Sequence, residues 1–171
     1  MEVPSDFSFR PVTPADLSMV HEWLGRPHIA EWWGPFPSLA QVEAEFGPLI
    51  GDQSTTRPYV ALWDGRPIGY IQSYVALGSG DGWWPDERDP GVRGIDQFLA
   101  NAGHLGRGLG SAMIGAFVDR LFADPAVTRI QTDPAPHNRR AIRCYEKAGF
   151  RAAREVDTPD GPALLMIRDR T

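Results

Sequence analysis

The chain has one cysteine, Cys144, among 171 residues. That excludes a disulfide within the chain and makes a reducing cytoplasm the expected compartment. It has no Lys/Arg-rich block, and 22 acidic residues outnumber 17 basic ones for a net charge of −5. A nucleic-acid partner is disfavoured, and a cationic partner is favoured weakly. No apolar run approaches the ~18 residues of a membrane span. The opening MEVPSDFSFR has no apolar core of an export signal, so neither membrane insertion nor export is expected. His21, His28, His104 and His137 share no ligand spacing, and no metal is expected. Repeats, low-complexity tracts and linkers are absent too, which predicts a single domain over residues 1–171.

What is present suits a packed domain. Hydrophobic residues make up 42% of the chain, enough for a sizeable core. Six tryptophans are many for this length, and tryptophan lines pockets as well as filling cores. FSFRPV (7–12) alternates as a strand. Thr13, Pro14, Asp16 and Gly25 punctuate a helix over 13–25. PHIAEWWG (27–34) is a short helix or turn, and Ser38 with Gln41 has capping-box spacing at the start of a helix over 38–51. YVALW (59–63) and RPIGYIQSYVAL (66–77) flank Asp64-Gly65, a hairpin signal. A long polar loop, 78–92, precedes a strand over 93–100. A helix over 111–124, a strand over 127–133, a helix over 137–150 and a closing hairpin around TPDG complete a β-α-α-β-β-β-α-β-α-β-β order. That order is an α/β or α+β layout with a mixed sheet.

Between the strand at 93–100 and the helix at 111 lies G-R-G-L-G, residues 106–110. Glycines let backbone N–H groups approach an anion, and a helix N-terminus adds unpaired donors. No Gly-Lys-Ser/Thr ends the run, and it is not G-x-G-x-x-G. Taken alone, the loop is a phosphate cradle or a tight turn. Asp96, in the apolar segment GIDQFLA, puts a carboxylate close to this loop in sequence.

The second half of the chain resembles the GNAT acetyltransferases. QTDPAPHNRRAIRCYEKAGF carries Asn138, Ala141, Tyr145 and Gly149-Phe150 at the spacing of that superfamily. The usual loop there reads R/Q-x-x-G-x-G/A. Gly108 and Gly110 fit it, and Leu105 departs from it at the first position. GSGDGWW, DPGVRGIDQ, LANA, LGRGLG, IQTDP, RAIRCYEKAGF and TPDGPA are similar to one branch, the bacterial aminoglycoside 6′-N-acetyltransferases. WLGRPHIAEWWG also resembles the siderophore-pathway acyltransferases. The resemblance implies a GNAT fold, a mixed and mostly antiparallel central sheet with helices on both faces. It implies acetyl transfer from acetyl-CoA to an amine of a cationic aminosugar. A small-amine N-acyltransferase or a non-catalytic acyl-CoA-binding protein are the alternatives.

By that resemblance, Leu105, Gly106, Arg107, Gly108, Leu109, Gly110 and Ser111 would hold the cofactor's pyrophosphate. The splayed strand 93–100 would pair with its pantetheine arm. Asn138 would contact that arm or only cap its helix. Asp96 would bind the reacting ammonium, whose pKa is ~10, and accept its proton; otherwise it pairs with Arg93 or serves a bulge. Tyr145 would protonate the departing thiolate, pack in the core, or both. Asp81, Trp83, Gln97, Asp133 and Asp160 would bind the aminosugar, within a region where 81–96 alone has three more acids than bases. Cys144 is expected to pack rather than carry an acyl group.

Overall fold

A computed structural model describes residues 6–171. The described chain divides into two compact units, each assembled from separated stretches. Two strands pass through both.

One unit comprises Asp6–Gln72 and Gln97–Leu105. It starts with β1 (Phe7–Pro11) and a 3-10 turn at Pro14–Asp16, and continues into α1 (Leu17–Leu24), α2 (Pro27–Trp33) and α3 (Leu39–Phe46). Three helices thus precede the next strand, because the aromatic segment at 27–34 is helical. The helix read from Thr13 begins as a 3-10 turn, where Asp16 bonds back to the Thr13 N–H at 2.8 Å. Ser38 and Gln41 form the expected box: the Gln41 N–H donates to the Ser38 hydroxyl at 3.1 Å, and the Ser38 N–H to the Gln41 side chain at 2.8 Å. β2 (Arg57–Trp63) and β3 (Arg66–Val75) are joined through Asp64 and Gly65, at φ +50° and +77°, a primed turn that suits the right-handed strand twist. Val20, Trp23, Ile29, Phe46, Tyr70 and Phe98 centre the core of this unit. The Tyr70 and Phe98 rings stack at 5.5 Å, and Trp33 meets both edge-on. Arg26 and His28 bracket the start of α2 and donate to the carbonyls of Ala100 and Leu99 at 2.6 and 2.8 Å.

The other unit contains Ser73–Asp96 and Gly106–Thr171. Most of β4 (Val92–Leu99) belongs to it, followed by α4 (Leu109–Phe122), β5 (Arg129–Thr132), α5 (Arg139–Lys147), β6 (Arg151–Thr158) and β7 (Gly161–Asp169). Met113, Ile114, Phe117 and Val118 form the buried stripe of α4, as the 3.6-residue period requires. β4 and β5 pair in parallel, whereas β1–β2, β5–β7 and β6–β7 are antiparallel. The hydrogen-bonded order is β1-β2-β3-β4-β5-β7-β6. Among the described residues no helix is long and apolar enough to cross a membrane.

Candidate active site

The parallel ladder between β4 and β5 is short. It pairs Val92, Arg93 and Gly94 with Arg129, Ile130 and Gln131 and stops there, while β4 runs on to Leu99. Where the strands part, the Thr132 hydroxyl donates to the Ile95 carbonyl at 3.2 Å. Side chains alternate along a strand, and residues in register share a face. Gly94 and Asp96 therefore face the same way as Gln131. Asp133 follows two residues later, just past the end of β5.

The same face extends onto β3. Ala76 donates its N–H to the Val92 carbonyl at 3.1 Å, and counting two residues along each antiparallel strand sets Tyr74 opposite Gly94. The Tyr74 ring leans into the space left by the missing side chain. A Cβ on Gly94 would overlap both the ring and its hydroxyl. Glycine inside a strand marks this kind of close approach. The phenol oxygen accepts the indole N–H of Trp84 at 2.9 Å.

The electrostatics of this row are one-sided. Asp133 is pushed up to about 8, first by burial and then by the carboxylates of Asp96 and Asp160. Tyr74 is held well above the usual phenol value by burial, and then by Asp96 and Asp133. The N–H groups of Trp84 and Gln131 oppose that rise. Only the indole makes a well-formed bond; the buried Gln131 amide nitrogen has no hydrogen-bond partner among the described residues. Asp160 lies exposed on the β6–β7 turn. Asp81, exposed at φ +55°, is next to Gly82, where a Cβ would lie 3.4 Å from the Pro159 side chain. The long loop thus touches the turn that carries Asp160, and acids from four stretches of sequence gather at one end of this unit.

The glycine run lies where α4 begins. Gly106 and Gly108 have φ of +73° and +80°, and Gly108 is the N-cap of α4. This left-handed cap is open to glycine at little cost. No side chain caps the helix, and the Ser111 hydroxyl turns back to the Gly108 carbonyl at 3.1 Å. The first N–H groups of a 14-residue helix are therefore left without a side-chain cap, the arrangement an anion needs. A Cβ on Gly106 would meet nothing, so the approach is clear.

α5 ends in a Schellman motif. The Phe150 N–H donates to Tyr145 and the Gly149 N–H to Glu146, both at 3.0 Å. The hydrophobic contact that accompanies this motif is Tyr145 on Phe150, ring centroids 5.5 Å apart. Tyr145 is buried, at 4% exposure, so its ring is core. Asn138 caps α5, accepting the Ala141 N–H at 3.3 Å.

A family profile described as the acetyltransferase (GNAT) domain matches residues 13–158. The chain belongs to the GNAT acetyltransferases. An aminoglycoside N(6′)-acetyltransferase type 1 from Klebsiella pneumoniae is 58% identical over 166 residues, 95% of this chain and 83% of that protein. The crystal structure of aminoglycoside acetyltransferase AAC(6′)-Ib in complex with coenzyme A and kanamycin matches with a TM-score of 0.92 at 57% identity, over 96% of this chain and 95% of that one. Lysine N-acyltransferase MbtK from Mycobacterium sp. (strain MCS) is more distant, 30% identical over 96% of this chain and 68% of its own length.

In this GNAT chain the residues picked from sequence fall into distinct places. Asp96 and Asp160 both bear on Asp133 electrostatically, and Asp81 is at the adjoining loop. Trp83 is half-buried in that loop, bridged to Gly80 and with its ring 6.2 Å from Trp84. Gln97 follows Asp96, and alternation turns it to the opposite face of β4. Leu105 closes the 3-10 turn that precedes Gly106, and Arg107 is exposed between the two left-handed glycines. Leu109, by contrast, is buried at the first turn of α4 beside half-buried Gly110. Arg93, the alternative partner for Asp96, lies on the other face and donates to the Pro90 carbonyl at 2.8 Å. Glu87 and Asp89 are occupied in shaping the loop; Asp89 accepts from Gly91 and Thr128 at 2.8 and 2.7 Å. Sequence reasoning missed Tyr74. Its signal was Gly94, a glycine inside a strand with no turn to explain it.

Proposed function

We propose that this protein transfers the acetyl group of acetyl-CoA to the 6′-amine of aminoglycoside antibiotics by direct attack in a ternary complex. The observation that carries this reading is the pairing of opposite sites: an uncapped helix N-terminus suited to an anionic donor, and a gathered set of carboxylates suited to a polycationic acceptor. Proteins similar over nearly the whole chain act on aminoglycosides and bind coenzyme A with kanamycin, which supports the same reading.

In the proposed reaction the N–H groups at 108–111 hold the pyrophosphate of acetyl-CoA. The parted stretch of β4 beyond Gly94 receives the pantetheine arm, and a β4 N–H polarises the thioester carbonyl. Asp81, Trp83, Asp133 and Asp160 bind the aminosugar. Asp96 takes the proton of the 6′-ammonium, directly or through water, and the neutral amine attacks the thioester carbon. The C–N bond forms, the C–S bond breaks, and the acylated nitrogen gives its remaining extra proton to solvent. Tyr145 supplies the proton that the thiolate takes up and is reprotonated from solvent. Acetyl-CoA is a cytoplasmic metabolite, and we assign the activity to that compartment.

Thiol release from acetyl-CoA, measured with kanamycin, with lysine and with no acceptor, tests the reading. Release with kanamycin alone is expected. Release only with lysine would favour the lysine N-acyltransferase activity of the more distant relative. No release with any acceptor, alongside a raised melting temperature with coenzyme A, would mark a protein that binds the cofactor without turnover.

A further inference from the structure

Tyr74 is a polar side chain that the reaction above leaves without a role. Its oxygen already accepts the Trp84 indole N–H at 2.9 Å, so its own hydrogen is turned away from that ring. On the other side it overhangs Gly94, two residues from Asp96 on the same face of β4, with Gln131 in register beyond. The amide nitrogen of Gln131 is a donor and cannot receive that hydrogen. Two carboxylates, Asp96 and Asp133, are close enough to act on the phenol and can accept a hydrogen bond.

We infer that Tyr74 is a positioning residue for acetyl transfer: its hydroxyl, aimed by Trp84 across the gap at Gly94, donates to the Asp96–Asp133 pair and holds it ready for the acceptor's ammonium. The inference rests on the proposed acetylation of an aminoglycoside. It accounts for three features that otherwise stand apart. Gly94 leaves room for the ring. Trp84 sits at φ +48°, a conformation a bulky residue keeps only when its surroundings fix it, and its indole reaches the phenol from there. The phenol stays protonated under all working conditions, because burial and the two carboxylates disfavour its anion. It is therefore a lasting donor rather than an acid. The same contact ties the loop that carries Asp81 and Trp83 to β3, at the point where Tyr74 overhangs the strand that carries Asp96.

The test compares wild type, Tyr74→Phe and Trp84→Phe in steady-state acetylation of kanamycin across pH, with acetyl-CoA KM and melting temperature measured on the same preparations. Wild-type turnover of kanamycin checks the underlying reading first, so its failure is visible separately. Tyr74→Phe removes only the oxygen. A hydrogen bond to a charged group corresponds to roughly a tenfold to hundredfold effect, and a loss of that size in kcat/KM for kanamycin is expected, with acetyl-CoA KM unchanged. Losing a donor to a carboxylate raises that carboxylate's pKa. The acid limb of the pH profile should therefore move to higher pH; the groups facing the change are Asp96, Asp133, Asp160, Gln131 and Trp84. Trp84→Phe should move the limb the same way by less, and it supplies the reading if Tyr74→Phe does not fold. An unmoved acid limb in the folded variant, or a lowered melting temperature with wild-type kcat/KM, would overturn the inference.

Discussion

Asp16 and Asp133 are both drawn out of water, and they titrate in opposite directions. Asp16 accepts both Arg10 guanidinium nitrogens, at 2.7 and 2.8 Å, and the N–H and hydroxyl of Thr13, at 2.8 and 3.0 Å. The Arg10 bonds lead in pulling it down to about 2. Asp133 is pushed up to about 8, and the charges that bear on it are both negative. A structural acid has its partners built in, within six residues of chain. The acids that bear on Asp133 disfavour its charged form, and a cation bound beside it would favour that form. Two regions of one chain thus hold carboxylates whose surroundings push them in opposite directions, one toward its charged form and one toward its neutral form.

The sharpest way to break this division is Asp96→Asn. The change keeps the shape and removes the charge and the basic site. It should cut kcat/KM for kanamycin by ~10²–10⁴-fold, the range for a positioned acid–base group. Acetyl-CoA affinity and melting temperature should stay near wild type, and raising the pH should recover part of the loss by supplying neutral amine. A stable variant with full activity would make Asp96 another structural acid. Tyr145→Phe comes next. The ring contact with Phe150 is retained and one oxygen is lost, so kcat should fall about 10²-fold at unchanged stability. Wild-type kcat would reduce Tyr145 to the core role its burial already demonstrates.

Sequence carries the two kinds of site unequally. Thr13 and Asp16, or Ser38 and Gln41, are three residues apart, and a capping box at that distance is written in local chemistry. Gly149 after a helix predicts the Schellman turn for the same reason, and Asp64-Gly65 predicts its hairpin. The carboxylate group was reached by another route. Asp81, Asp96, Asp133 and Asp160 belong to four stretches, and spacing alone does not bring them together; family resemblance selected them. Tyr74 escaped because strand register, not sequence distance, sets it against Gly94. Helix starts moved by a turn or less where backbone geometry decided: α4 begins at Leu109 because Gly108 takes the left-handed cap.

Asp16→Asn tests the other side of the comparison. Hydrogen bonds to a charged group contribute about 1.5–3 kcal/mol, and the substitution should cost that much stability at pH 7 while activity per folded molecule is unchanged. The pH dependence follows from the sign of the shift. Asp16 lies below its ordinary 3.8 in the fold, so its stabilisation is present above 3.8 and fades as pH falls toward 2. Urea unfolding of both proteins should show a gap that is constant from neutral pH down to about 4.5 and narrows below that. A gap that does not change with pH would mean the loss comes from packing rather than from charge.

Asp133→Asn should change stability with the opposite sign. An acid whose folded value exceeds its unfolded 3.8 favours the fold below 3.8, and that contribution is lost as pH rises through about 8. Asparagine cannot ionise, so the variant should match wild type near pH 4 and be more stable near pH 8. Each ~1 kcal/mol gained would raise the melting temperature by ~2–4 °C in a chain of this size. Binding should reverse the preference. An ammonium placed beside Asp133 favours its charged form, so wild type should release a proton to the buffer on taking up kanamycin at pH 7, and Asp133→Asn should release less. Calorimetry in two buffers of different ionisation enthalpy reads that proton directly. Equal heats in both buffers for wild type, together with equal melting temperatures at both pH values, would return Asp133 to the class of Asp16, an acid whose partner is already in the fold.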